Sequence, residues 1–132
     1  MWTMRHGRLI GGGAVVVQVD DPPQALGAAE LETVARLGMP MVVVVYDDSA
    51  YGAEVHHFGP DGHDLGTVVF PDTDIAAVAR GYGFDAVTVR DSGELAPVAK
   101  WVGGARRAPL LIDAKVVADH PSWWLEEAFQ GH

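Results

Sequence analysis

The chain has 132 residues, which is enough for one domain with a real hydrophobic core. Its 18 acidic and 9 basic residues give a formal net charge of −9, so DNA, RNA and anionic membrane surfaces are poor partners, whereas a divalent cation is a suitable one. The absence of cysteine excludes disulfides, thiolate catalysis and cysteine-based zinc sites and agrees with a cytoplasmic location, and no apolar run approaches the roughly 20 residues of a membrane span.

Valine-rich runs alternate with helical patterns along the chain, which predicts an α/β fold: a three-layer, mostly parallel open sheet with helices on both faces. The first run, 14–19, predicts a strand buried on both sides because it is almost continuously apolar. A helix is expected from Pro22, since proline fits a first turn and apolar residues recur on one face as far as Leu37. Gly38 and Pro40 should end that helix.

The rest of the chain continues the alternation. The predicted elements are a strand at 41–46, a short helix at 51–58, a loop rich in Gly, Pro and Asp at 59–74, a helix at 74–83, a strand at 86–89, a capped helix at 91–102, a strand at 109–116 and a helix at 121–129. No repeat or low-complexity segment interrupts this order. One domain over 1–132 is therefore expected, with an atypical N-terminal segment at 1–13 and a C-terminal helical segment at 120–132.

Two pairs of aspartates stand where buried strands are predicted to end, Asp20-Asp21 after the first strand and Asp47-Asp48 after the second. Ligands of open parallel sheets bind beyond the carboxyl ends of the strands. If the two strands are neighbours, the carboxylates converge, and two charges about 4 Å apart repel by about 4 kcal/mol at an effective dielectric near 20. Mg²⁺ would relieve this repulsion, since it takes oxygen ligands and leaves positions for phosphate. The alternative is that one aspartate of each pair caps a helix or turn and the other is solvated.

The stretch AELETVARLGMPMVVVVYDDSAYGAEVHHF resembles the pyrophosphate-binding domain of thiamine-diphosphate enzymes of the acetolactate synthase and 2-oxo-acid decarboxylase group. That family carries Gly-Asp-Gly after one strand, a helix with an E-L-x-T-A segment, a strand after Leu-Pro, and Asn-Asn or Asn-Asp followed by Tyr-Gly. Aligned on Glu30, Asp20-Asp21-Pro22 falls on the first motif and Asp47-Asp48 on the Asn pair. Asp48 lies 27 positions after Asp21, the usual spacing of the family's two side-chain metal ligands. The ending PLLIDAKV to SWWLEEAFQGH is similar to the family's final strand and helix.

The resemblance implies roles for residues at both strand ends. Asp21 and Asp48 would give side-chain oxygens, and Ala50 its backbone carbonyl, to a Mg²⁺ ion that bridges the two phosphates of thiamine diphosphate. The residues that would line the diphosphate pocket are Asp20, Asp21, Pro22, Ser49, Tyr51 and Gly52. No catalytic residue is implied in this chain, because the glutamate that activates the aminopyrimidine belongs to a separate pyrimidine-binding domain on a partner subunit.

Three positions depart from the family pattern. Asp20 and Pro22 replace glycines whose backbone approaches the phosphates; the aspartate adds negative charge and the proline has no N–H to donate. Asp47 replaces an asparagine and adds a further charge. In the family, the residue that forces the bent shape of the cofactor lies further ahead of the metal aspartate than the twenty residues that precede Asp21. An N-terminally truncated domain is therefore expected, in which the segment that contacts the aminopyrimidine is missing or replaced by MWTMRHGRLIGGG.

Three hypotheses follow. The first is the magnesium- and diphosphate-binding part of a thiamine-diphosphate lyase or transferase that decarboxylates a 2-oxo acid or performs acetolactate-type carboligation. It would act as a homo-oligomer or with a separate pyrimidine-binding subunit, and the isolated chain should have no turnover. The second is a degenerate, non-catalytic α/β module that works through protein association. The third is a response-regulator receiver domain, which needs a phosphoacceptor aspartate after a third strand, whereas Asp48 follows the second.

Other polar and aromatic residues receive weaker assignments. His56 and His57 follow the Tyr-Gly pair and are expected at the surface. Trp123-Trp124 should anchor the last helix on the body of the domain, with a subunit interface as the second choice. Lys115 follows the final strand, and the resemblance gives it no role.

Overall fold

Helices and strands alternate through residues 28–120, which are the residues that the computed structural model describes. The elements are α1 (Ala28–Arg36), β1 (Val42–Asp47), α2 (Gly52–Phe58), α3 (Ile75–Gly81), β2 (Asp85–Val89), a 3-10 helix (Ser92–Leu95), α4 (Ala96–Gly103) and β3 (Leu110–Lys115). Every element predicted to lie wholly in this range is present, with outer bounds that differ by at most two residues, but the single helix predicted at 91–102 is divided into the 3-10 helix and α4. The predicted strand at 14–19, the start of the first helix and the terminal helix at 121–129 lie outside the described residues.

The described strands form one parallel sheet in the order β1-β3-β2, so the last of them along the chain lies between the other two described strands. Val43 of β1 and Ala86 of β2 both stand opposite Leu111 of β3, which sets the register across the sheet. Parallel neighbours require crossover connections, and the helices provide them. All three carboxyl ends consequently lie at the same edge, where Asp47 is the register partner of Lys115.

Helices cover both faces of the sheet, because alternate side chains of each strand point to opposite sides. On one face, α1 and α3 pack on the strands through the buried residues Leu31, Val43, Ala79, Phe84 and Leu111. On the other face, Val98 and Trp101 of α4 pack against a second buried cluster, Val42, Leu110 and Ile112. The predicted three-layer α/β architecture is therefore confirmed.

The end of α1 follows the prediction made from its glycine and proline. Gly38 has φ +60°, in the left-handed region that favours glycine, and its N–H donates to the carbonyl of Ala35. Strand β1 then begins at Val42, two residues after Pro40. Among residues 28–120, no helix has the length and apolar character that crossing a bilayer would require.

Candidate functional site

The backbone turns sharply where β1 ends, and the two aspartates there hold the turn. Asp47 Oδ1 accepts a hydrogen bond from the Ser49 N–H at 2.8 Å, and Asp48 Oδ1 accepts one from the Ala50 N–H at 3.1 Å. Ser49 has φ +57°, a left-handed conformation that is uncommon for a residue with a side chain. Both aspartates are thus local turn acceptors and neither is fully solvated, whereas the cap alternative predicted one capping and one solvated aspartate.

A short bridge ties this turn to the long loop between α2 and α3. Phe70 N–H donates to the Ser49 carbonyl at 2.7 Å, and Tyr51 N–H donates to the Val68 carbonyl at 2.8 Å. The Tyr51 and Phe70 rings meet edge to face with centroids 5.0 Å apart. Because the bridge uses the carbonyl of Ser49 and the N–H of Tyr51, the carbonyl of Ala50 takes no part in it.

Gly52, the first residue of α2, lies directly beside the carboxylate of Asp48. A Cβ atom at position 52 would stand 2.5 Å from Asp48 Oδ2 and 3.7 Å from its Cγ. Real Cβ atoms do not approach an oxygen so closely, so any side chain at this position would force the carboxylate to move. The orientation of Asp48 therefore requires glycine at position 52.

The turn brings together every predicted site residue that lies in the described range: Asp48, Ser49, Ala50, Tyr51 and Gly52. Asp20, Asp21 and Pro22 lie outside that range. The Asp48 carboxylate and the Ala50 carbonyl are hard oxygen donors, which are the ligands that magnesium prefers. Residues 28–120 contain no group of three acidic or histidine side chains that could hold a metal ion by themselves. The turn therefore fits one half of a magnesium site, whose remaining ligands must come from outside it.

Lys115, to which the sequence patterns assigned no role, lies at the centre of an acidic cluster at this edge of the sheet. Its Nζ is 2.6 Å from Asp47 Oδ2, 2.7 Å from Asp72 Oδ1 and 3.4 Å from Asp113 Oδ2. It also donates to the Thr73 carbonyl at 2.7 Å. Asp47, which looked from the sequence like an added negative charge beside a phosphate site, is therefore paired with a cation.

The cluster shifts the pKa values of its members in different directions. Burial alone would lower the pKa of Lys115, but hydrogen bonds to Asp47 and Asp72 and the charges of Asp113 and Asp47 outweigh it, so this pKa is raised. The hydrogen bond and charge of Lys115 lower the pKa of Asp72. Burial raises the pKa of Asp113 more than Lys115 lowers it. Lys115 accordingly remains charged at neutral pH.

Asp113 is expected to make stability depend on pH. Its side chain is fully buried; Oδ2 lies 3.4 Å from the Thr88 hydroxyl, and Oδ1 has no hydrogen-bond partner within the described part of the chain. The folded-state pKa of Asp113 is raised above the ordinary 3.8. The contribution of this residue to the free energy of unfolding is therefore fully present below pH 3.8 and is lost as pH rises through the raised pKa. Relative to Asp113→Asn, the wild type should therefore lose unfolding free energy as pH rises from about 4.

Urea unfolding at a series of pH values measures this difference. Asp61→Asn, at an exposed aspartate of the long loop, is the matched control and should follow the wild type at every pH. A wild-type-minus-Asp113→Asn difference that stays constant over the whole series would contradict the prediction.

The family model described as "Thiamine pyrophosphate enzyme, C-terminal TPP binding domain" matches residues 14–114. The chain is 31% identical over 109 residues to an acetolactate synthase of Bacillus subtilis (strain 168), a match that covers 82% of this chain and 19% of the synthase.

Its fold is also similar to that of a solved structure, a Rhodococcus jostii RHA1 thiamine diphosphate-dependent 4-hydroxybenzoylformate decarboxylase. The TM-score is 0.63 at 22% identity, over 82% of this chain and 20% of the decarboxylase chain. The chain thus spans about a fifth of the length of these relatives. Lys115 lies one position beyond the range that the family model matches.

Proposed function

The chain belongs to the family of C-terminal thiamine pyrophosphate-binding domains, and from that premise we propose that it binds the diphosphate group of thiamine diphosphate through Mg²⁺. The family implies this cofactor, and magnesium is the ion typical of it. The match covers both aspartate pairs and confirms the family resemblance inferred from the sequence. Because the chain belongs to this family, the receiver-domain hypothesis is rejected.

The proposed ligands of the ion are the carboxylates of Asp21 and Asp48 and the backbone carbonyl of Ala50. The single observation that carries the proposal is the turn after β1, where Asp48 and Ala50 present oxygens and Gly52 leaves room beside the carboxylate. Within the described sheet β1 is an edge strand, and the predicted strand at 14–19 would bring Asp21 to the same end by pairing with it. Asp20, Asp21, Pro22, Ser49, Tyr51 and Gly52 would line the diphosphate pocket.

The reaction follows from the chemistry of the cofactor. Bound thiamine diphosphate supplies the carbanion stabilisation by which a bond next to the carbonyl of a 2-oxo acid is broken or formed. The residues of this chain hold and orient its diphosphate end. Because the relatives' names are those of a synthase and a decarboxylase, the proposed reaction class is decarboxylation or acetolactate-type carboligation of a 2-oxo acid.

The proposed assembly contains more than this chain, since the chain spans only about a fifth of its relatives. A pyrimidine-binding domain would complete the active site, either within a homo-oligomer or on a separate subunit. A cytoplasmic location is also part of the proposal. The chain by itself, as the single domain predicted over 1–132, would bind the cofactor without turning over a 2-oxo acid.

Isothermal titration of the chain tests the proposal. Thiamine diphosphate should bind when Mg²⁺ is present and should not bind when the metal is chelated. Thiamine without phosphates is the matched ligand control and should give no heat, because the proposed contacts are all to the diphosphate and its metal. Equal binding of thiamine and thiamine diphosphate, or no heat under any condition, would remove the cofactor from the account.

A second function is association without catalysis, for which exposed apolar side chains of the domain are candidate contacts. Val117 and Leu37 are 74% and 61% exposed. The glycines missing at positions 20 and 22 also favour a chain that keeps the fold without the cofactor. Sedimentation tests this second function, because a strictly monomeric chain that binds the cofactor would count against the association hypothesis.

A further inference from the structure

The pair Asp47 and Lys115 joins the candidate metal turn to the centre of the sheet. The two residues are register partners at the ends of β1 and β3, and their side chains are only 11% and 14% exposed. One oxygen of Asp47 is bonded to the lysine ammonium, and the other accepts the N–H of Ser49. Each oxygen of Asp47 thus has a partner in this part of the chain, so this carboxylate is held as an anchor for the turn, and Asp48 is the proposed metal ligand.

Lys115 also anchors the loop that supports the other side of the turn. Its ammonium is bonded to the Asp72 carboxylate and to the Thr73 carbonyl. The same loop, two residues earlier, pairs Phe70 with Ser49. One ammonium group therefore connects the end of β1, the end of β3 and the loop that fixes residues 49–51.

The charges at this edge decide which ligand it can accept. The described residues place Asp47, Asp48, Asp72 and Asp113 around the carboxyl ends of β1 and β3, with Lys115 among them. A surplus of carboxylates attracts a bare cation, but it disfavours a cation that arrives with a diphosphate, because that complex carries net negative charge. Partly buried charges are weakly screened by salt, so one added positive charge changes this preference substantially.

We propose that Lys115 is a positioning and selectivity residue, which neutralises Asp47 and fixes the β1 turn so that this edge of the sheet accepts a metal-bound diphosphate in preference to a bare metal ion. The inference rests on the proposed function and adds to it a residue beyond the matched family range. It also accounts for the aspartate at position 47, because the charge that departs from the family pattern has its own counter-ion.

Three variants test the inference. Lys115→Met keeps the length of the side chain and removes its charge. Asp47→Asn removes the opposing charge and keeps an oxygen for the Ser49 N–H, and the double variant removes both charges. Lys100→Met is the matched control, since it removes a lysine charge from an exposed position on α4.

Each variant is titrated with Mg²⁺ alone and with Mg²⁺ plus inorganic diphosphate. Compared with the wild type, Lys115→Met should bind Mg²⁺ alone more tightly. It should bind the magnesium–diphosphate complex roughly tenfold more weakly, a loss of about 1.4 kcal/mol in binding free energy. The double variant should return the ratio of the two affinities to within about threefold of the wild-type ratio, because the unpaired Asp47 charge is gone. Lys100→Met should leave the ratio unchanged.

The inference is overturned if the wild type binds both probes and Lys115→Met leaves their affinity ratio unchanged, or if the double variant is no closer to the wild type than the single one. If the wild type binds neither probe, the proposed function fails, and the selectivity claim fails with it. The anchoring claim is then decided by a double-mutant cycle for urea unfolding. Non-additive effects of Lys115→Met and Asp47→Asn support the anchor, and additive effects reject it.

Discussion

Replacing Asp48 by alanine is expected to weaken magnesium-dependent binding of thiamine diphosphate by roughly hundredfold or more. The substitution removes a proposed ligand of the ion, and even residues that only support a ligand cost about 10–100-fold in metal affinity when they are changed. The N–H of Ala50 would also lose its acceptor, so the carbonyl of the same residue would be held less firmly. Titration calorimetry with saturating Mg²⁺ measures the change.

Two further substitutions test whether the effect of Asp48→Ala is specific to the loss of this carboxylate. Asp48→Asn keeps one oxygen for the metal and the acceptor for Ala50, so its loss should be smaller, roughly tenfold. Asp64→Ala is the matched control, because Asp64 makes the same kind of turn bond, from Gly66 N–H at 2.9 Å, in the long loop. Asp64→Ala should bind as the wild type does. Wild-type affinity in Asp48→Ala would show that this carboxylate does not hold the ion.

Gly52→Ala is expected to weaken binding by roughly 10–100-fold without removing any ligand. The added Cβ would stand 2.5 Å from Asp48 Oδ2, so the carboxylate must rotate away from its present orientation. Alanine is the better helix former, and residue 52 is the first residue of α2, so helix propensity does not oppose the change. Cofactor affinity should therefore fall while the free energy of unfolding changes little.

The control for Gly52→Ala is the same substitution at the end of α3. A Cβ at Gly81 meets no atom within 4 Å, so Gly81→Ala should leave binding unchanged. Calorimetry and urea unfolding on both variants separate the two effects. If Gly52→Ala binds the cofactor as tightly as Gly81→Ala, the orientation of Asp48 in this turn is not the one that holds magnesium.

Local signals in the sequence sufficed to predict the helices and strands of the described residues but could not set the order of the strands in the sheet. A run of valines predicted β1, the Leu-Leu-Ile run predicted β3, and Gly38 with Pro40 predicted the end of α1, because each signal lies within a few residues of its effect. The position of β3 between β1 and β2 depends on packing between segments far apart in the chain. The alternation of strands and helices predicted a parallel sheet without fixing that order.

The candidate site also contains residues that a local motif identifies and residues that only the fold brings together. Asp48, Ser49, Ala50, Tyr51 and Gly52 are consecutive, so a family motif could identify them together. Lys115 lies 68 positions after Asp47, and no spacing rule connects a lysine at the end of the last described strand with an aspartate at the end of an earlier one. The charge of Asp47 consequently looked unfavourable for a phosphate site from the sequence, and only the strand register brings its counter-ion next to it.

The most direct test of the central claim is a crystal structure of the chain with Mg²⁺ and thiamine diphosphate. We expect one octahedral ion with oxygens of Asp21, Asp48 and Ala50 at about 2.0–2.1 Å, and diphosphate oxygens in further positions. The strand ending before Asp20 should then lie beside β1, with both acidic ends at one edge of the sheet. An ion that contacts Asp48 while Asp21 lies on the opposite face of the domain would contradict the account.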